Sequence, residues 1–300
     1  MSLWIPVTIA AAVFQTLRFM LQKHLSASRL SAAGATWARF VYSAPVILPG
    51  VWLYLSMTGQ ALPALSGWFW ISAAIGGSAQ VLATLCVVLL FKQRNFAVGI
   101  TFKKTEVIQT ALLGFLVLGD AVSVLAALAI GLGLVAVLLL SKTPGENRAW
   151  WRHLTNRASA LGLGSGVLFA FSAVFYRAAS LEIGSDDPVL RAGVTLAAVV
   201  TMQMLGMLVW FLWRDRAEIT AVWAARRQAS FIGLFSMAGS FCWFLAFTLQ
   251  NAAYVKALGQ VELLLSMLAS WLFFHEVMTR RELAGIALLI GSILLLVLTL

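Results

Sequence analysis

Apolar positions run along this chain in long unbroken blocks, and the polar positions between them come in short clusters. Ten such blocks can be marked, at 3–22, 31–55, 68–91, 96–118 and 121–141, then at 159–181, 188–213, 227–249, 254–275 and 280–299. About 20 apolar residues suffice for a helix to cross a hydrocarbon layer about 30 Å thick. Polar and apolar residues do not alternate within the blocks, which favours helices over the strands of a membrane barrel. The pattern predicts an all-α polytopic membrane protein with ten transmembrane helices. Connections at Lys92–Asn95, Gly119–Asp120 and Asn251–Ala253 are so short that the helices they join must be antiparallel neighbours. Pro45, Pro49 and Gly76–Gly77 mark places where a helix can bend.

The chain also repeats itself. Moving residues 77–139 forward by 156 positions, without a gap, sets Gly77 on Gly233, Cys86 on Cys242, Phe91 on Phe247 and Asn95 on Asn251. It also sets Ala97 on Ala253, Glu106 on Glu262 and Asp120 on Glu276. Leucine coincidences mean little in so apolar a chain. The only two cysteines falling on one register with paired acids and asparagines mean a good deal. The reading is two copies of one five-helix unit, residues 1–141 and 159–300, joined by a cytoplasmic linker at 142–158 that carries Pro144, Gly145, Trp150 and Trp151. An odd number of spans turns the second copy upside down in the bilayer. Inverted repeats of this kind are the architecture of secondary transporters, with the binding site near the midplane between the copies.

Composition agrees and excludes a soluble protein. Hydrophobic residues make up 61% of the chain and charged residues 11%, against about a quarter charged in ordinary globular domains; the mean hydropathy is +0.93. The net charge of +10 is carried by loops, among them Lys23, Lys92, Arg148, Arg214, Arg227 and Arg281. These fall in the odd-numbered loops. The positive-inside rule then makes those loops cytoplasmic and both termini periplasmic in a bacterial inner membrane. The first apolar block has no basic residues before it and is long for a signal peptide, so it reads as a retained helix. Scattered over loops, the positive charge suits anionic lipid and gives no footprint for nucleic acid. Cys86 and Cys242 lie within apolar spans, as packing residues and not as a disulfide framework.

The chemistry is expected where the bilayer is least tolerant. An ionised side chain at the centre of a spanning helix costs about 2.5–3.5 kcal/mol, so it persists only when paired or facing a cavity. This chain keeps Arg18, Arg39, Lys103, Lys104, Glu106, Arg177, Arg191, Lys256 and Glu262 within its spans. Glu106 and Glu262 fall near the middle of spans four and nine, on opposite walls of one shared cavity if the copies are inverted. As functional groups they bind a substrate ammonium or carry a proton; as structural groups they pair with lysine or arginine and hold helices together. Lys103 lies one turn before Glu106 and shares its face, while Lys104 points about 100° away and needs another partner. Gln80 and Thr84 of span three, Ser240 and Trp243 of span eight, and Gln260 of span nine are further candidates for the cavity lining. Arg39 and Arg191, in spans two and seven, sit nearer helix ends where snorkelling is easy, and read as structural charges.

At its end the chain resembles a known family. The stretch Phe273-Phe274-His275-Glu276-Val277-Met278-Thr279-Arg280-Arg281-Glu282-Leu283-Ala284-Gly285-Ile286 is similar to the close of an EamA-type repeat, with a weaker copy at Leu118-Gly119-Asp120. Arg39 and Arg191 match the arginine that such repeats carry in their second span. The resemblance covers essentially the whole chain as the drug/metabolite transporter superfamily pattern, and within it is nearest to bacterial exporters of the YddG type. It implies alternating-access export of small organic metabolites, amino acids first, with protons as a candidate coupling ion. Where many such repeats have proline in spans four and nine, this chain has Glu106 and Glu262, which makes the cavity more polar. Export of drugs or hydrophobic cations is the alternative, with the two glutamates as the binding carboxylates. A membrane-embedded enzyme is the remote one: His24, His153 and His275 are far apart, and no cluster has metal-ligand spacing. No phosphate-binding loop is present for ATP-driven pumping, no cofactor or metal is expected, and a monomer suffices.

Overall fold

A proline ring crowds the carbonyl four residues before it and kinks or breaks a helix; Pro45 stands four residues after Val41. The second apolar block accordingly divides into α2 (Ala32–Val41) and α3 (Ala44–Thr58), with the chain turning at Tyr42–Ser43. The computed structural model describes residues 2–28, 30–91, 103–140, 157–265 and 280–298, apart from the side chains at 27, 28, 91 and 282. Within them the regular structure is helical throughout. Before the broken span comes α1 (Trp4–Ser28); after it come α4 (Gly67–Phe91), α5 (Glu106–Leu118) and α6 (Val124–Leu140). The rest is α7 (Arg157–Leu181), α8 (Pro188–Arg214), α9 (Arg216–Ala224), α10 (Arg226–Leu249), α11 (Ala252–Leu258) and α12 (Arg280–Leu298).

Among the described residues, six stretches are long and apolar enough to cross a membrane: Trp4–Ser26, Ala32–Thr58, Gly67–Leu90, Arg157–Leu181, Pro188–Arg214 and Arg226–Leu249. They coincide with six of the ten blocks. The blocks expected at 96–118, 121–141 and 280–299 are represented by shorter apolar helices, Glu106–Leu118, Val124–Leu140 and Leu283–Leu298. The linker at 142–158 lies almost wholly outside the described residues, as do Asn95, Ala97 and Glu276. One element was not expected. The polar stretch between α8 and α10 folds as the nine-residue α9, and Glu218 on it accepts the Ser31 amide at 2.8 Å, covering the N-terminus of α2.

Packing crosses from one half of the chain to the other. Helix α1 lies along α10, α4 lies along α7, and α6 lies along α12. Phe69, Tyr176, Leu196, Phe244 and Leu258 fill the core between them. Large apolar side chains face outward instead of being gathered inside, Trp52, Leu116, Val124 and Trp213 among them; hydrocarbon makes that arrangement stable where water would not. Cys86 and Cys242 are both free thiols.

Asp187 starts α8 from just outside the membrane-spanning segment. Its Oδ1 accepts the amides of Val189 and Leu190 at 2.8 and 3.3 Å, and its Oδ2 accepts the Tyr54 hydroxyl at 2.6 Å and the Gln60 amide at 3.2 Å. Partial burial pushes this carboxyl up, but the four hydrogen bonds outweigh it and hold it below its ordinary value. A depressed carboxyl contributes stability above its unfolded value, near 3.9, and loses it as pH falls through the lower folded value. Asp187→Ala is expected to cost about 1 kcal/mol at neutral pH, with the difference from the parent protein shrinking as the medium is acidified below about pH 4. Thermal unfolding across pH checks both parts.

Candidate functional site

Spans four and nine are not continuous. Residue 103 is helical, the chain turns at Lys104–Thr105, and α5 begins at Glu106; α11 ends at Leu258, turns at Gly259–Gln260 and is helical again from 261. The two interruptions lie within one residue of positions related by the 156-residue offset, and each glutamate follows its own. Continuous helices were expected here. At Gly259 the cause is visible: a Cβ would stand 2.5 Å from the Trp243 ring, so only glycine lets the indole press against the turn. Asn251 starts the preceding segment by accepting the Ala253 amide at 2.8 Å, a helix N-cap.

The interruption changes the pairing predicted for the lysines. An i to i+3 pair between Lys103 and Glu106 needs an intact helix. Instead, the Lys103 ammonium lies 5.1 Å from the centre of the Phe169 ring and 5.5 Å from that of Phe19. Lys104 donates to Glu262 Oε1, and Gln15 Nε2 donates to Glu262 Oε2 at 2.7 Å. Lys256 Nζ stands 3.8 Å from Glu106 Oε1. Two ion pairs therefore run in opposite directions between spans four and nine, each joining a cation of one half to the glutamate of the other. Among the described residues, Glu106 Oε2 is buried without a hydrogen-bond partner, as are Gln109 Oε1 and Gln260 Oε1.

Beside these pairs is a small enclosed cavity between α1, α2, α4, α7, α10 and α11. Arg18, Arg39 and Lys256 line it, with Gln15, Gln80, Tyr176, Ser240 and Trp243. Its volume is about 30 Å³, room for about two waters on a measure where one needs about 10–15 Å³. Ordinary ligand pockets measure about 300–1,000 Å³, so a metabolite fits only after the walls move apart.

Arg39 is the best-anchored group in the wall. It is 4% exposed, against the expected snorkelling position. Its Nε donates to Ser236 Oγ at 2.6 Å, Nη1 to Thr84 at 3.2 Å and Nη2 to Ser240 Oγ at 3.0 Å. One guanidinium thus ties α2 to α4 and α10. Arg39 stands in the last turn of α2, just before the chain turns at Tyr42–Ser43. Arg191 keeps the expected peripheral place, with Nε donating to the Ile183 carbonyl at 3.0 Å. Tyr176 donates to Gln80 Oε1 at 2.9 Å and accepts from Gln203 Nε2 at 3.2 Å. Trp243 donates from its indole to Gln15 Oε1 at 3.1 Å, and its ring lies 4.9 Å from the Lys256 ammonium.

Of the residues singled out from sequence, Arg39, Gln80, Ser240 and Trp243 line the cavity, and Thr84 touches it through Arg39. Lys103, Lys104, Glu106, Glu262 and Gln260 cluster at the two interruptions. Gln15, Phe169 and Tyr176 escaped sequence reading, and Arg18 and Lys256 were marked only as intramembrane charges. A signal existed for the first helix: Gln15, Arg18 and Gln22 follow i, i+3, i+7 and form one polar stripe. Ser165, Phe169, Ser172 and Tyr176 form a similar stripe on α7. Arg177, beside it, is structural. It clasps Asp120 with Nε at 2.7 Å and Nη2 at 3.3 Å, and donates to the Phe247 and Gln250 carbonyls at the end of α10.

The comparisons with known proteins agree with this architecture. A crystal structure of another protein matches 99% of this chain and 96% of its own, with a TM-score of 0.69 and 13% identity, which is a likeness of fold. A search of curated proteins finds no match. The profile of the EamA-like transporter family matches residues 156–298, a family of the drug/metabolite transporter superfamily, and points to a transporter and not an enzyme. The second half of this multi-pass membrane protein belongs to the EamA-like transporter family.

Proposed function

We propose that the chain is a secondary transporter exporting small organic metabolites across a bacterial inner membrane, with the cavity between its halves opening alternately to either side. The observation that carries this reading is a polar, charge-lined cavity at the meeting of the two halves, beside two interrupted helices. Interrupted helices around a central site are the recurring construction of such carriers.

Two inverted units, residues 1–141 and 159–300, are supported by the way contacts exchange. Under the offset, the packing of α4 on α7 becomes that of α10 on α1. Likewise the packing of α4 on α8 becomes that of α10 on α2, and α6 with α12 maps onto itself. Such an exchange is what a two-fold axis between the halves predicts. Amino acids are the leading substrates by resemblance, with the carboxylate toward Arg39 and Arg18. Protons are the candidate coupling ion, and Glu106, whose Oε2 has no hydrogen-bond partner among the described residues, is the carboxyl to test.

Purified protein in proteoliposomes is expected to move labelled amino acids, faster under a proton gradient and slower with a protonophore. Glu106→Gln is expected to remove the response to the gradient while the protein stays folded. Absence of flux for amino acids with dye efflux retained would move the assignment to hydrophobic cations.

A further inference from the structure

The charge of the buried interior is lopsided. Arg18, Arg39, Lys103, Lys104 and Lys256 are each at most 8% exposed, and the carboxylates found among them are Glu106 and Glu262. Both acids are engaged at the interruptions, and neither lines the cavity. Among the described residues its lining holds three cations and no acid. At bilayer depth, buried cations in excess call for an anion. Among the described residues Arg39 donates to three neutral hydroxyls and lies 5.2 Å from the Phe40 ring centre, and Arg18 donates to Gln22 Oε1 at 2.9 Å with its guanidinium 4.2 Å from the Phe19 ring centre. Arg39 uses three of its five N–H groups in those hydroxyl contacts, so its fork is held in place by three helices with donors to spare.

We infer that the cavity recognises its cargo through a carboxylate, and that its natural class is small organic acids for which an amino group is dispensable. This rests on the transport reading and narrows it. A carboxylate entering here accepts from Arg39 and Arg18 and lies beside Lys256. An ammonium entering here faces the same three cations, while Glu106 and Glu262 stand outside the lining, each paired with a lysine. Like charges set together in a desolvated site are disfavoured. Phe169, Trp243 and Phe247 close around Lys256 with ring centres 5.4, 4.9 and 5.9 Å from its ammonium, so the remainder of the ligand meets apolar walls.

Three probes with one apolar body separate the possibilities: 3-phenylpropionate, phenylalanine and 2-phenylethylamine. Equilibrium binding to the detergent-solubilised full chain is followed by calorimetry, and flux is followed separately in proteoliposomes. The acid is expected to bind at least about tenfold more tightly than the amine, and no weaker than phenylalanine. Arg39→Gln is expected to abolish that preference. Lys256→Gln, which leaves the anchoring of α2 intact, is expected to weaken the acid by about tenfold and keep the test open should the arginine variant fail to fold. Tighter binding of the amine, or binding of phenylalanine without phenylpropionate, overturns the inference. Acid binding without flux leaves the carboxylate site standing and removes the transport reading; flux of the amine alone does the reverse.

Discussion

Glu262→Leu is expected to lower the unfolding free energy by about 3 kcal/mol, and adding Lys104→Met is expected to restore most of it. Removing one member of a buried ion pair costs about 3–5 kcal/mol because the other charge stays behind without compensation, whereas replacing both with apolar groups is often neutral. The side chain of Lys104 is 2% exposed and that of Glu262 is 14% exposed, which places the expected cost at the lower end. Without Glu262, the Lys104 ammonium is left beside Lys103, and Gln15 loses the acceptor it reaches at 2.7 Å. Chemical unfolding of the two single variants and the double variant in one detergent gives the coupling directly. Additive losses, with the double variant worse than either single one, would sink the idea that this pair is the clasp between spans four and nine. Flux measured on the double variant then tells whether the charges serve only to hold the helices, or are also needed by the cargo.

Gly233→Ala is expected to be damaging and Gly77→Ala harmless, although the two glycines occupy matching positions in the repeat. A Cβ on Gly233 would stand 2.3 Å from the Tyr42 Cβ and 2.8 Å from its carbonyl carbon. Backbone cannot yield as a side-chain tip can, so α2 and α10 must part. On Gly77 the nearest atoms are 3.6 Å away, in the side chains of Gln203 and Val199, which is ordinary contact. Overpacking of this kind costs about 1–3 kcal/mol. The functional effect should exceed that figure, because Ser236, one turn beyond Gly233, is held by Arg39 at only 2.6 Å. Separating the two helices draws the guanidinium's anchors away from it, and binding of a carboxylate should fall with them. A melting temperature and a binding isotherm for each alanine variant test the contrast; equal behaviour of the two would contradict it.

These cases show what the residues disclosed and what they kept. Long apolar blocks announce spanning helices because hydrocarbon demands them, so the six long spans were legible at once. Interruptions of spans four and nine were hidden: neither lysine nor threonine breaks a helix, and Gly259 becomes a break only because Trp243, sixteen residues earlier, presses on it. Pairing of Lys104 with Glu262 spans 158 residues and has no local signature. The burial of Arg39 has no local signature either, since its partners Ser236 and Ser240 lie 197 and 201 residues away. The polar stripe of Gln15, Arg18 and Gln22 was readable in principle, being helical periodicity within one element. Glycines along α7 are likewise alike in sequence and unlike in place: at Gly166 a Cβ would meet the Lys103 carbonyl at 3.0 Å, whereas Gly164 faces open space.

Helices that take their partners from the opposite half of the chain impose an order on synthesis. Arg39 finds Ser236 and Ser240 at 197 and 201 residues further on, and α1 waits equally long for α10. During translation at about 5–20 residues per second, the early spans therefore stand in the bilayer for roughly ten seconds or more with their arginines unsheltered. They must be held at the insertion machinery, or pushed toward its aqueous side, until α10 leaves the ribosome. A chain truncated before residue 226 should consequently be cleared rapidly by membrane proteases, and the two halves made separately should survive only when made together.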